Sequence, residues 1–361
     1  MLDSVKPYKP GKPIAEVERE LGLKGVVKLA SNENPYGPSE KAVKAIVEAA
    51  KDVNRYPDGG CFYLKEALGR KLDVPGGNIV FGNGSDELIV MALSAYVNSG
   101  DEVVVADPTF LVYHIASMVK GASVRSVPLK NFKYDIDGMI SAVNKNTKII
   151  FIVNPDNPTG SYITSDEFKR LVASIPPSVL IFVDEAYYEF ACGDDYPESL
   201  DWFKKGLPNI IIARTFSKAY GLAGLRIGYA IAPKEIIQIL NKVREPFNVN
   251  SVAQAAALAA LDDEEYVKRS VDLVKKEKKR FYAFFDSLKV KYLFSKSNFI
   301  LVNTERDSKK FFEHLLKKGV IVREMSSWGL MGFIRVNVGS EKENDIFFKA
   351  FASVIEGTSK Q

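Results

Sequence analysis

Cysteine is scarce: 361 residues contain only two, Cys61 and Cys192. Two isolated thiols build no disulfide framework, so the expected setting is a reducing one, the cytoplasm. Histidine is equally scarce, with His114 and His314 each alone in the sequence. A histidine-based metal centre is therefore not expected. Charge of one sign is lacking too. A net charge of +4 on this length, with no basic run interleaved with aromatics, argues against a nucleic-acid partner. No uninterrupted apolar run is long enough to cross a bilayer. The opening MLDSVKPYKPGKP has charge and prolines but no apolar core, so no secretory leader is expected. What is present is ordinary globular material, 46 % hydrophobic and 26 % charged, in a chain long enough for two domains.

Short apolar runs alternate with amphipathic stretches through the first two thirds. Strands are expected at 78–81, 102–106, 123–129, 148–153, 179–184, 209–214 and 227–232, with helices at 39–51, 86–97, 110–120 and 165–175. That alternation predicts an α/β fold in which helices wrap a mostly parallel sheet. The rhythm changes near PFNVNS (246–251). Helices follow at 251–261 and roughly 263–288, the second reading as a solvated, charged face. A strand (298–303), a helix (308–319), two strands in VIVREM and FIRVNV and a last helix (341–355) complete a smaller α+β domain. The expected division is an N-terminal arm with part of the small domain at 1–38, a large domain at 39–248 and a small domain at 249–361. The arm, through SNENPYGPS, shows no clear periodicity.

Chemistry concentrates at the carboxyl ends of the expected strands, where open α/β sheets hold ligands. The segment TFSKAYGLAGLRIGY (215–229) places Lys218 between Thr215 and Ser217, with Arg226 eight residues on and glycines between. The amine suits condensation with an aldehyde, and the hydroxyls and arginine suit that ligand's phosphate. GNGSDE (82–87) sets Ser85 and Asp86 at a helix start, an anion site or simply a capped turn; Glu87 stands where a dinucleotide fingerprint needs glycine. Asp184 ends a strand so apolar that its carboxylate needs a partner, for which a protonated ring nitrogen would serve. Tyr187 lies three residues on and Asn157 sits in the stiff turn NPDNPTG. Phe110, in DPTFLVYH, offers a ring to stack on. Each has a bland reading as a cap, a turn or a core residue. Together with Lys218 they describe one ligand, pyridoxal 5′-phosphate.

These motifs, in this order, resemble those of fold-type I pyridoxal-phosphate aminotransferases, and within that group the histidinol-phosphate aminotransferase family. KLASNENPYGPS (28–39), NRYPDGG (54–60) and KGVIVREMSSWGLMGFIRVNVG (318–339) carry the resemblance toward both ends. The resemblance implies Lys218 as the Schiff-base lysine and proton carrier, Asp184 on the pyridinium, and Asn157 and Tyr187 on the ring hydroxyl. Ser85, Asp86, Thr215, Ser217 and Arg226 would surround the phosphate. Tyr56 would enter the neighbouring subunit's phosphate site, which implies a homodimer with shared active sites. Phe110 departs from the family's usual tyrosine, keeping a stacking face and losing a phenol hydrogen bond. Asp156 departs from a common asparagine and is expected to matter little.

For substrates, the resemblance implies Arg335 as the carboxylate-binding arginine and Arg323, with Tyr8, at a substrate phosphate; Asn32 would line the entrance. The implied reaction is transamination between L-histidinol phosphate and 2-oxoglutarate, giving imidazole acetol phosphate and glutamate in histidine biosynthesis. An aromatic or broad-range aminotransferase and a threonine-phosphate decarboxylase remain open alternatives. A non-catalytic regulator on the same fold is disfavoured, because no spare segment carries a second module.

Overall fold

The computed structural model describes Val5 and residues 7–358. Positions 1–4 and 6 of the expected arm, and 359–361 of the expected small domain, lie outside the described residues. A short strand, β1 (Val27–Lys28), precedes the strands of the large sheet: β2 (Ile79–Gly82), β3 (Glu102–Asp107), β4 (Ser123–Pro128), β5 (Thr147–Val153), β6 (Leu180–Asp184), β7 (Ile210–Thr215) and β8 (Gly228–Ile231). Their spatial order is β2-β8-β7-β6-β5-β3-β4. The pairs from β4 through β3, β5 and β6 to β7 are parallel, while β8 runs antiparallel to both its neighbours.

Every residue of β6 and β7 is buried, as expected for central strands covered on both faces. Side chains alternate between two cores: Ile150, Ile152, Ile181, Val183, Ile210 and Ile212 face one, and Ile149, Phe151, Phe182 and Ile211 the other. Ile181 and Ile212 are wholly buried, so truncating either to alanine would cost about 2–5 kcal/mol. The two-sided core fixes the sheet rigidly and leaves function to the turns beyond its carboxyl edge.

The second half carries β9 (Lys291–Tyr292), β10 (Phe299–Asn303), β11 (Val320–Ile321), β12 (Arg323–Glu324) and β13 (Phe333–Asn337). An antiparallel sheet of order β12-β13-β10-β9 packs against a phenylalanine-rich core that includes Phe281, Phe285, Phe311, Phe347 and Phe351.

Three elements differ from expectation. The arm is more regular than its sequence indicates: it forms a helix, Ile14–Leu21, and β1 pairs in parallel with β11, Val27 opposite Val320. The helix Ser251–Leu261 packs Ala253, Ala256, Ala257 and Ala260 into the large-sheet core beside Ala42 and Leu68; alanines let it approach the helix Glu40–Ala49 closely. The long helix Glu264–Ser287 is solvated on one face only. Its buried face carries Tyr266, Val274, Phe281 and Phe285, the last three within the phenylalanine-rich core, and Glu277 is held by Arg280 (2.7 Å) and Asn344 (2.8 Å).

Candidate active site

The carboxyl edge of the large sheet meets β12 and β13 across a cavity of about 270 Å³. Lys218, Asp184, Tyr187, Asn157, Ser85, Asp86, Phe110, Thr215, Ser217, Arg226, Tyr8, Asn32, Arg323 and Arg335 all line it. Residues from positions 8 to 335 converge there because most follow a strand end of the large sheet or lie on the strands β12 and β13, while Tyr8 comes from the arm. Tyr56 is the exception among the candidates. It is 83 % exposed and stacks on Phe247, ring centres 4.8 Å apart.

Lys218 follows β7 by three residues and is half-buried. Its Nζ lies 3.3 Å from the Ser31 carbonyl oxygen and 5.7 Å from the centre of the Tyr187 ring. Burial, reinforced by the Arg335 charge, lowers its pKa to about 8. A lysine in that range supplies a substantial neutral, nucleophilic fraction near neutrality.

Asp184, the last residue of β6, has both carboxylate oxygens engaged. Oδ1 accepts from the Ala186 N–H at 3.0 Å, and Oδ2 accepts from the Tyr113 hydroxyl. Burial raises its pKa to about 6 against the pull of those donors. Tyr113 was not among the sequence candidates. It lies one turn beyond Phe110 on the helix Val112–Val119 and is wholly buried; only its hydroxyl, in a mostly apolar helix, could have drawn notice.

The anion-binding end is built from backbone and arginine. Gly84, at φ +84°, opens the helix Ser85–Tyr96, whose first turn presents unpaired N–H groups. A Cβ on Gly84 would fall 2.3 Å from Arg226 Nη2, so the guanidinium lies against bare backbone. Arg226 itself adopts a left-handed φ of +58° and donates to Asp86 Oδ2 at 3.3 Å. The Thr215 hydroxyl accepts from the Ser217 N–H at 3.1 Å.

Arg335 Nη1 donates to Asn157 Oδ1, and Nη2 donates to the Ala30 carbonyl at 2.9 Å. Arginine has no acceptor, so the Asn157 amide must turn its oxygen toward Arg335 and its NH₂ away. Asn32 Nδ2 donates to the Tyr187 hydroxyl oxygen at 2.8 Å, leaving that O–H free to donate. Burial pushes the Tyr187 hydroxyl pKa up, which keeps it a neutral donor. Arg323 Nη2 donates to the Lys9 carbonyl, and its guanidinium lies over the rings of Tyr8 (5.4 Å) and Trp328 (4.8 Å). The Nε atoms of both arginines are buried without a hydrogen-bond partner among the described residues. Trp328 is a second residue that no sequence argument singled out.

Asp156 links two of the turns. It is fully buried, takes 2.7 and 2.8 Å hydrogen bonds from the Thr109 and Thr159 hydroxyls, and so ties the turn after β3 to the turn after β5. Those turns carry Phe110 and Asn157.

A mostly parallel sheet with a half-buried lysine beyond one strand end and a buried carboxylate closing its neighbour defines a fold-type I transferase. The description "Aminotransferase class I and II" matches residues 24–351. The histidinol-phosphate aminotransferase of Moorella thermoacetica is 49 % identical over 98 % of this chain and 91 % of its own. That of Caldicellulosiruptor saccharolyticus is 45 % identical over 98 % and 99 %. The crystal structure of histidinol-phosphate aminotransferase from Sinorhizobium meliloti, solved in complex with pyridoxal-5′-phosphate, superposes with a TM-score of 0.90 at 29 % identity, covering 99 % of this chain and 97 % of that one. The chain belongs to the class I and II aminotransferases and, among them, to the histidinol-phosphate aminotransferase family.

Proposed function

We propose that this enzyme transfers the amino group of L-histidinol phosphate to 2-oxoglutarate with pyridoxal phosphate as cofactor. The observation that carries the substrate assignment is the pair Arg323 and Arg335, buried in the cavity that holds Lys218, each with an Nε lacking a partner among the described residues. A phosphate monoester and a dicarboxylate must enter in turn, and two planar guanidiniums accommodate either.

The residues present fit the cofactor. Bare backbone at Gly84, the first turn of the helix Ser85–Tyr96, Thr215, Ser217 and Arg226 form an anion cradle for its phosphate. The outward NH₂ of Asn157 and the free hydroxyl hydrogen of Tyr187 suit the ring oxygen. Asp184 suits a ring N–H, and Phe110 a ring face. When bound, the pyridine ring supplies an electron sink for the electrons released from the substrate Cα.

The protein's own contribution is binding, orientation and proton movement. Lys218, whose pKa of about 8 leaves a reactive neutral fraction near neutrality, takes the proton from the substrate Cα and returns one on the opposite half-reaction. Asp184, held as an acceptor by Tyr113 and Ala186, keeps positive charge on the nitrogen that faces it. Arg335 fixes a carboxylate, or one edge of the phosphate, and Arg323 takes the remaining anionic oxygens. Tyr8 and Trp328 flank Arg323 with aromatic faces, which limit water around that charge.

The reading extends to assembly. Tyr56, Phe62, Tyr63, Val47 and Val53 are all more than half exposed, an apolar surface suited to a second copy of the chain. We assign the working form as a homodimer in which Tyr56 reaches the partner's phosphate cradle, located in the cytoplasm in keeping with two free thiols. The arm, large domain and small domain divide near residues 38 and 248, with the helix Ser251–Leu261 returning to the large core. A donor panel on purified holoenzyme tests the function. Histidinol phosphate should convert the cofactor to its amine form and yield glutamate with 2-oxoglutarate. Carbon dioxide release from threonine phosphate, with no turnover of histidinol phosphate, would overturn the substrate assignment. Light scattering tests the dimer.

A further inference from the structure

We propose that a lysine-lined cleft on the other side of the Asn157 turn binds a small anionic ligand with a planar aromatic ring, of the nucleoside monophosphate class. The cleft has a volume of about 410 Å³ and is lined by Lys133, Lys275, Lys278, Lys279 and Lys296, with Tyr162, Tyr282 and Phe294 among them. That volume is typical of small-molecule sites. The sequence shows no basic run with aromatics interleaved; folding assembles one from four separate segments.

Charge and shape both point to the ligand. Among the described residues no carboxylate lines the cleft. At its edge Asp194 pairs with Lys296 at 3.2 Å, and Asp195 accepts from the Tyr162 hydroxyl at 2.6 Å. Lys278 is held inward by two carbonyl oxygens, those of Ser295 (2.7 Å) and Ser297 (3.1 Å). It is a half-buried cation with no carboxylate partner among the described residues, and its pKa falls to about 8 through burial and the nearby Lys296 charge. An arriving anion would offset that clustering of like charge. Phe294 is 76 % exposed, while Tyr282 and Tyr292 hold its ring edge-on at 5.0 and 5.4 Å. A fixed, open aromatic ring beside uncompensated ammonium groups suits a flat ring that carries a phosphate.

The cleft also touches the active-site turn. Gly160, which closes the turn bearing Asn157, accepts a 2.9 Å hydrogen bond from the Lys296 N–H, and a Cβ on Gly160 would fall 2.2 Å from Ser295 Oγ. A ligand that shifts Ser295–Lys296 therefore bears on Asn157, so occupancy should alter substrate binding.

The test is equilibrium binding of AMP to cofactor-saturated enzyme by calorimetry, with adenosine and inorganic phosphate as separate arms. We expect saturable AMP binding that withstands saturation of the active site with 2-oxoglutarate and weakens as salt rises. Phe294→Ala and the double substitution Lys275→Gln/Lys279→Gln should each weaken it by about tenfold or more, with the cofactor's absorbance unchanged as a check on folding. Absence of saturable binding, displacement by 2-oxoglutarate, or equal affinity in the substituted proteins would overturn the proposal. Phosphate binding as tightly as AMP would overturn the aromatic half of it.

Discussion

Arg323 and Arg335 lie directly opposite each other across the β12–β13 ladder. Like charges in that position destabilise a sheet, and burial lowers the pKa of both guanidiniums. The arrangement is costly until an anion sits between them. Arg323→Gln should therefore leave the thermal midpoint of the substrate-free enzyme unchanged or raise it. It should also remove most of the stabilisation that histidinol phosphate confers, and raise KM for that substrate by roughly 30-fold or more, as loss of a desolvated ionic contact of ~2–5 kcal/mol implies. Arg335→Gln should impair both half-reactions, because Arg335 also orients Asn157. Thermal shift with and without each substrate, alongside steady-state kinetics, checks both.

The hydrogen bond from Tyr113 to Asp184 leads to a second expectation. Tyr113→Phe keeps the ring packed against Phe151 and removes one donor from the carboxylate. Asp184 should then hold its proton to higher pH, since that donor lowers its pKa. Cofactor affinity should fall by about tenfold or more, in line with ~1.5–3 kcal/mol for a hydrogen bond to a charged group. The pH profile of cofactor dissociation should move upward, which a packing defect alone would not produce.

The strands of the large sheet were legible because each is a short apolar run bounded by turn residues, and the candidate site followed from the rule that ligands gather at carboxyl ends. Lys218, Asp184 and Asn157 carry strong local signals: an amine between hydroxyls, a charge closing an apolar strand, an amide in a proline-fixed turn. Tyr113 and Trp328 were missed because a buried aromatic in an apolar helix or loop reads as core. The pairing of Val27 with Val320 was missed because parallel registers between distant segments leave no trace in a local window. The link made by Asp156 was not legible for a related reason. Its worth lies in bonds to Thr109, forty-seven positions away, and a comparison of residue types at one position does not reveal that link.

Asp156 provides a test through pH. Burial raises its pKa from 3.8 to about 6, so between those values the folded state binds more protons than the unfolded one. Its contribution to stability is fully present below pH 3.8 and is lost as pH rises through 6. Asp184 is shifted over the same window. Asp156→Asn removes one of the two titrations. The Thr109 and Thr159 hydroxyls can each rotate to donate or accept, so the bridge between the turns should survive. We expect a shallower fall in stability between pH 4 and 6, and at pH 7 a protein within about 1 kcal/mol of the parent or above it. Urea unfolding of the cofactor-free enzyme across that range measures it.

Lys218 titrates in the opposite sense. Burial lowers its pKa from 10.5 to about 8, so between pH 8 and 10.5 the unfolded chain binds the extra proton. The penalty for burying the ammonium is complete below pH 8 and is relieved as pH rises toward 10.5. Lys218→Met keeps the volume and removes the charge. The cofactor-free variant should exceed the parent in stability by on the order of 3 kcal/mol at pH 7, from ~1.4 kcal/mol per pKa unit, and the two curves should converge above pH 10.5. The same variant should show no turnover and acquire no cofactor tag on borohydride reduction. A residue that weakens the fold yet is needed for every turnover is what a tuned nucleophile requires. A Lys218→Met protein no more stable than the parent at pH 7 would mean the amine is not held in the desolvated state from which its lowered proton affinity was inferred.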